Sequence, residues 1–248
     1  CATYDYTYGL LTAHHVPEKH IKYIMNIYSA MISTFKARNN GAPGAMSWTW
    51  YQRTAVEATL YRTGRFEIEI NLKFSQRAMV FRNLADKDTL VTLAAAGKFH
   101  RDGHLLGSKY FEDEEGSFEG VVEESDDAWI GYPYDERGLV VNKKRTLKKS
   151  EWEKYIEPGD PVVGLHIPPG GGMTPEKVDE AFKEATEFLD TCYPDFKYKA
   201  ITCASWLMDP QLCTILGEDA NISKFIRRFI PLCHKSMGRG VMSFVFLQ

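Results

Sequence analysis

The 248-residue chain lacks most of the features that would assign it to a specialised class. Its five cysteines (Cys1, Cys192, Cys203, Cys213 and Cys233) are odd in number and contain no CxxC pair. That argues against a disulfide framework or a structural zinc site and points to a reducing, cytoplasmic setting. No run approaches the ~18 apolar residues of a membrane span, and no signal peptide is visible. Net charge is only −3, so no global basic field draws the chain to nucleic acid or to an acidic membrane. Internal repeats, low-complexity linkers, a Walker loop and a Gly-x-Ser-x-Gly elbow are all missing. His100-Arg101-Asp102 has the look of a kinase catalytic loop, but Gly107 stands where a metal-binding Asn is required. His100 and His104 have the spacing of a zinc pair, yet Asp102-Gly103 breaks the helix such a pair needs. No metal site is expected.

What remains is ordinary globular material, 44% hydrophobic and 25% charged, with enough residues for a sizeable core. Because the chain opens on Cys1 rather than Met, it is expected to continue a longer N-terminal region. Ile21, Ile24, Met25, Tyr28, Ile32 and Phe35 share one helical face, ended by Asn39-Asn40-Gly41. Thr49 and Gln52 have capping-box spacing for a second helix over 49–61, stopped by Gly64. Over 66–73, Phe66, Ile68, Ile70 and Leu72 alternate with Glu67, Glu69, Asn71 and Lys73, which predicts a strand with one face in water. Further strands are expected at 78–81, 90–95, 120–122, 128–132 and 139–141, with one helical turn at 150–155. The basic cluster Lys143-Lys144-Arg145 with Lys148-Lys149 lacks interleaved aromatics and reads as a solvated hairpin flank. Acidic residues over 112–115, with Glu123, Glu124, Asp126 and Asp127, read as a solvated loop or as a lure for a cationic acceptor.

The densest signal is 162–176: a short apolar strand, then Pro168-Pro169-Gly170-Gly171-Gly172-Met173, then Thr174-Pro175-Glu176. Glycines let backbone turn tightly and approach a ligand. Thr174 suits a helix cap and Pro175 the first turn. A helix N-terminus behind a glycine turn offers free N–H groups and a positive dipole end, which suits phosphate; plain connectors share the pattern. The following helix carries Val178, Ala181, Phe182, Ala185, Phe188 and Leu189 on one stripe. A strand over 199–207, a short helix begun by Asp209-Pro210, a helix capped by Asn221 and a closing strand over 241–247 complete the order. The arrangement predicts an α/β fold, a mixed sheet with helices on both faces.

That order resembles the GNAT acyltransferase superfamily. Leu165-His166-Ile167-Pro168, Cys203-Ala204-Ser205-Trp206-Leu207 followed by Asp209-Pro210, Tyr61-Arg62-Thr63-Gly64-Arg65 and Glu157-Pro158-Gly159-Asp160 look like a bacterial family of acyltransferase-domain proteins with a GNAT-like C-terminal domain. So does Asn221-Ile222 with Phe225 and Phe229. The resemblance implies a helical end of an N-terminal region over 1–46 and a GNAT-like domain over 47–248. It implies acetyl-CoA or another acyl-CoA as co-substrate, with pyrophosphate on the backbone of Gly170, Gly171, Gly172, Met173 and Thr174. The superfamily loop usually opens on Arg or Gln. Here Ile167 takes that place, and Pro168 and Pro169 remove two N–H donors.

Acyl transfer from a thioester to an amine needs a base, donors for the developing oxyanion and an acid for the departing thiolate. His166 is the expected base, with a structural histidine as the alternative. Cys203 is read as a covalent acyl carrier or as a buried free cysteine, and Ser205 as a donor to the thiolate. Asp209 reads as a helix cap, and Trp48, Trp50, Tyr51 and Trp206 as core or pocket wall. The expected acceptor is a small-molecule or peptide amine, with no nucleic acid and no membrane. The rival is a binding module that keeps the fold without catalysis.

Overall fold

The computed structural model describes residues 2–46, 49–107 and 115–234. Trp48, the acidic residues Glu112, Asp113 and Glu114, and the closing strand expected over 241–247 lie outside the described residues. In chain order the elements are α1 (Ala2–Ala13), α2 (Glu18–Arg38), α3 (Thr49–Val56), β1 (Leu60–Thr63), β2 (Phe66–Lys73), β3 (Ala78–Asn83) and β4 (Leu90–Ala94). Short strands β5 (Lys98–Phe99), β6 (Phe118–Glu119), β7 (Glu123–Glu124), β8 (Ala128–Gly131), β9 (Arg145–Lys148) and β10 (Trp152–Ile156) follow. Then come β11 (Pro161–His166), α4 (Pro175–Cys192), β12 (Ala200–Thr202), a 3-10 turn (Trp206–Met208), α5 (Gln211–Leu216) and α6 (Asn221–Ile226).

These form two compact units, Cys1–Leu72 with Pro161–Ala204, and Lys73–Asp160 with Ser205–Gln248. The first is built on a four-stranded sheet in the order β1-β2-β11-β12. β1 and β2 are an antiparallel hairpin, turned at Gly64 with φ +51. β11 and β12 run parallel, Val162 opposite Ala200 and Gly164 opposite Thr202, joined through α4 as expected. Phe66 meets Phe182 of α4, while the next residue, Glu67, accepts from Tyr23 of α2 and Tyr51 of α3. Successive strand residues point to opposite faces, so helices cover both faces of this sheet.

Four expectations differ from the structure of this unit. The second helix stops at Val56, and the 60–63 stretch is strand: Leu60, Tyr61 and Thr63 are fully buried and paired with Glu69, Ile68 and Phe66. Cross-strand pairing overrides a helical spacing that only local residues support. The 199–207 strand shrinks to Ala200–Thr202, because the chain then turns into the 3-10 segment. Strand β2 has no wet face at its start, since Glu67 and Glu69 are as buried as Phe66. The α2 stripe also rotates slightly: Ile21, Ile24, Ile27 and Met31 are buried, whereas Ile32 is exposed.

In the second unit, β10-β3-β4 and β7-β8-β9 are antiparallel sheets. Phe81, Val91, Leu93, Trp129, Leu147 and Trp152 form one core. Residues 150–155, expected as a helical turn, lie largely in strand β10 because Trp152 and Ile156 bury themselves against β3. Instead of a strand at 120–122, β6 and β7 flank that stretch. The 139–141 stretch contributes only a bridge between Tyr134 and Val140. The basic cluster is neutralised locally: Lys144 pairs with Glu123, Lys149 with Glu124, and Lys149 also lies over the Trp129 ring. That matches a solvated hairpin flank.

Candidate functional site

His166 ends β11, and its partners come from the face of the sheet that the sequence placed in water. Strand period 2 puts Gly164 and His166 on one face, where Nε2 of His166 lies 2.9 Å from Oε2 of Glu69. Glu69 is buried, its side chain 4% exposed, whereas the imidazole is 33% exposed. On the other carboxylate oxygen, Nη2 of Arg53 from α3 donates at 3.1 Å. Trp50, one turn earlier on α3, packs on the imidazole with ring centroids 4.6 Å apart. An ionised carboxylate only accepts, so it orients the ring with Nε2 as the donor, and in the neutral imidazole Nδ1 then keeps a lone pair. Nδ1 has no partner among the described residues.

Gly164 lies beside this pair, and its tightest neighbour is Leu72. A Cβ there would lie 2.6 Å from Cδ1 of Leu72 and 3.5 Å from both Cβ of Glu69 and Nε2 of His166. Next along β2, Glu67 takes hydroxyl hydrogen bonds from Tyr23 and, at 3.4 Å, from Tyr51. Burial first, and the Glu67 carboxylate second, push the Tyr23 phenol far above its ordinary range; the same two causes act on Tyr51. Both phenols therefore stay protonated as donors.

Immediately after His166 comes the glycine loop. Gly170 and Gly171 adopt φ +89 and +70, a region open to glycine at little cost. Backbone N–H groups of Gly170, Gly171, Gly172 and Met173 have no hydrogen-bond partner among the described residues. A Cβ on Gly170 or Gly172 would meet nothing within 4 Å, so the surface over the loop is open. Thr174 sits at the N-cap of α4 with Pro175 next, but its side chain makes no capping bond. Its carbonyl accepts from Val178 N at 3.1 Å.

Ladder pairing between β11 and β12 ends at Gly164 and Thr202, so Leu165 and His166 extend past the last rung. Cys203 and Ser205 were expected on one strand face, but the strand ends before them. Cys203 is a half-buried free thiol that burial pushes up to about 12. Ser205 belongs to the other unit, where its Oγ accepts from Leu207 N at 3.2 Å and caps the 3-10 turn. Asp209 Oδ1 accepts from Gln211 N at 2.9 Å, which is the capping role expected of it. Among the described residues, no three His, Cys, Asp or Glu side chains are grouped to hold a metal ion.

Sequence reasoning named His166 and the loop as candidates but did not name Glu69, Arg53 or Glu67, which the structure places beside or near His166. The available signal was Tyr23 and Tyr51. Aromatics with a polar tip beside an apolar stripe commonly reach for a buried partner, and Glu67 of β2 is that partner for both.

Residues 60–248 match the family of the GNAT-like C-terminal domain. The chain belongs to that family. The chain also superposes on a crystal structure of an acyltransferase in complex with decanoyl-CoA, with TM-score 0.55 and 20% identity, covering 100% of this chain and 52% of that one. A structure of an acyltransferase in complex with decanoyl-CoA and teicoplanin matches at TM-score 0.55 and 17% identity with the same coverage. One with CoA and 10C-teicoplanin gives the same values. The chain spans about half the length of these solved structures, and at this identity the likeness concerns the fold. No curated protein sequence matches the chain. No helix among the described residues is long and apolar enough to cross a membrane.

Proposed function

We propose that the chain forms the GNAT-like part of an acyl-CoA-dependent acyltransferase that acts on an amine. The observation that carries this is His166, held by the buried Glu69 with Nδ1 free, four residues before a loop of unpartnered N–H groups. When bound, acyl-CoA supplies an activated thioester. The N–H groups of Gly170 to Met173 and the first turn of α4 hold its pyrophosphate, and the open surface over Gly170 and Gly172 fits that use. Nδ1 of His166 takes the proton that the acceptor nitrogen loses as it bonds to the carbonyl carbon, and the imidazolium returns that proton to the CoA sulfur as the C–S bond breaks. Glu69 steadies the imidazolium so formed, and Trp50 excludes water from one side of the ring. Cys203 is given no step because its thiol stays protonated. Ser205 is given none because its oxygen is engaged as a cap.

The acceptor class is a small-molecule or peptide amine, a reading supported by the acyltransferase structure that holds teicoplanin beside decanoyl-CoA. Residues 1–46 are read as the helical end of an N-terminal region, and 47–248 as the acyltransferase domain. One feature favours a binding module instead: Ile167, Pro168 and Pro169 offer the loop's approach neither a charge nor two of its N–H donors.

The two readings separate in solution. An acyl-CoA at about 100 times its Kd should stabilise the fold by about 2.7 kcal/mol. Release of free CoA thiol in the presence of a panel of amines should accompany it. His166→Gln keeps a donor for Glu69 yet offers no proton acceptor of comparable strength, so thiol release should fall about 10²–10⁴-fold at a nearly unchanged melting temperature. Stabilisation without any thiol release would favour the binding module. A strongly destabilised variant with an unchanged rate per folded molecule would remove His166 from the chemistry.

A further inference from the structure

Arg65 lies in the turn between β1 and β2, beside the glycine loop. Its Nη1 donates to the Pro168 carbonyl at 2.7 Å. Its side chain runs along Gly171, where a Cβ would lie 3.7 Å from Cδ and 3.8 Å from Nε. Nε is shielded from solvent and has no hydrogen-bond partner among the described residues. One neighbouring cation adds to the imbalance. Arg62 donates through Nε to the Gly64 carbonyl at 2.9 Å, and its charge repels that of Arg65.

Several other guanidiniums of the described residues are balanced by carboxylates. Arg53 pairs with Glu57 and Glu69, Arg82 with Glu153, and Arg137 with Asp135. Neither Arg62 nor Arg65 has a carboxylate partner among the described residues. Burial, and then the Arg62 charge, lower the Arg65 pKa from its ordinary value, which is the electrostatic signature of a cation without a counter-charge. Holding an unpaired guanidinium partly out of water is costly unless an anion completes it. The place where that anion belongs is bounded by the free N–H groups of Gly170 to Met173 and by the N-terminus of the 18-residue α4.

We infer that Arg65 is the cationic anchor for a diphosphate ester at the glycine loop, tying the loop through Pro168 and meeting the ligand's charge with its remaining N–H groups. The inference rests on the acyl-CoA reading above and names the residue that gives that loop its affinity for charge. A guanidinium suits this task because its planar fork can serve a backbone carbonyl and a phosphate oxygen together.

The test uses ADP, decanoyl-CoA and S-decanoyl-pantetheine, which lacks the diphosphate. Arg65→Gln keeps a donor for the Pro168 carbonyl and removes the charge. It should weaken ADP and decanoyl-CoA binding about 10–100-fold by calorimetry, the loss expected for one charged hydrogen bond. The preference for decanoyl-CoA over S-decanoyl-pantetheine should shrink by the same factor. Equal affinities in the variant and the wild type would overturn the inference, and so would a loss that is as large for S-decanoyl-pantetheine, since Arg65 would then only shape the loop. If the Gln variant does not fold, phenylglyoxal modification of the wild type decides. ADP should protect Arg65 and pantetheine should not, and absence of ADP protection overturns the proposal. A wild type that binds ADP and S-decanoyl-pantetheine but transfers no acyl group would sink the enzymatic reading alone. A wild type that binds no probe sinks both.

Discussion

The sheet of the first unit has two interiors, and they differ in kind. Under α4, Phe66 and the neighbouring aromatics of β1 and α4 make an apolar layer: Tyr61 packs on Phe188 at 4.6 Å, and Phe66 on Phe182 at 5.8 Å. Under α2 and α3, the same β2 presents Glu67 and Glu69 to Tyr23, Tyr51, Arg53 and His166. The first layer gains from the removal of hydrocarbon from water. In the second, buried carboxylates cost solvation that only complete hydrogen bonding offsets. A fold that needed stability alone would place leucines there. On the proposed reading, the polar layer is retained because His166 needs a fixed ring and a nearby negative charge.

The contrast yields a graded series of outcomes. Phe188→Ala strikes the apolar layer at a fully packed ring and should lower unfolding free energy by about 3–5 kcal/mol, leaving thiol release per folded molecule unaltered. A denaturant midpoint read beside turnover checks this. Equal damage to both quantities would mean that the two layers do not divide the labour.

Glu69→Gln strikes the polar layer. It loses the charge that steadies the imidazolium, so kcat should fall about 10–100-fold while the Kd for acyl-CoA holds. A rise in Kd with kcat unchanged would make Glu69 a scaffold rather than a positioning residue.

Tyr23→Phe removes one of two donors to Glu67 and should cost about 1 kcal/mol of stability. Because Tyr51 remains, a loss near that of Phe188→Ala would show that the α2 contact dominates the layer.

The smallest effect concerns Cys203. Burial raises its thiol to about 12, so alkylation by iodoacetamide should be slow at neutral pH and climb steadily into the alkaline range. The sign for stability follows from the same shift. The contribution is complete below the ordinary thiol value and is lost as pH rises from there towards about 12. Rapid alkylation at pH 7.5 would return Cys203 to the list of nucleophiles.

Legibility in the sequence followed the range of the forces involved. The β11–loop–α4 passage was readable because its signals are local: an apolar run, glycines, then Pro175 and an amphipathic stripe. Parallel pairing of β11 with β12 followed from the crossover helix. By contrast, the helix expected over 49–61 overran into Leu60 and Tyr61, where pairing in the hairpin outweighs local spacing. The pairing of Glu69 with His166 spans 97 positions, and nothing in the alternation of β2 distinguishes a face turned to water from one turned to tyrosines. Arg65 stood inside a recognised string, Tyr61-Arg62-Thr63-Gly64-Arg65, yet its reach to Pro168 depends on a turn that only coordinates reveal.

The hydroxyl that α2 lends to Glu67 also bears on where this domain can be cut. The family match begins at residue 60, whereas Tyr23, Trp50, Tyr51 and Arg53, which close the polar layer, all precede it. The segment that the family match covers and the segment that builds the polar layer are therefore different lengths of chain. An expression clone trimmed to the homologous boundary would expose two carboxylates on β2, strip His166 of its covering ring and leave Glu69 without its arginine. It would carry the family's signature and none of the side chains that cover the candidate site.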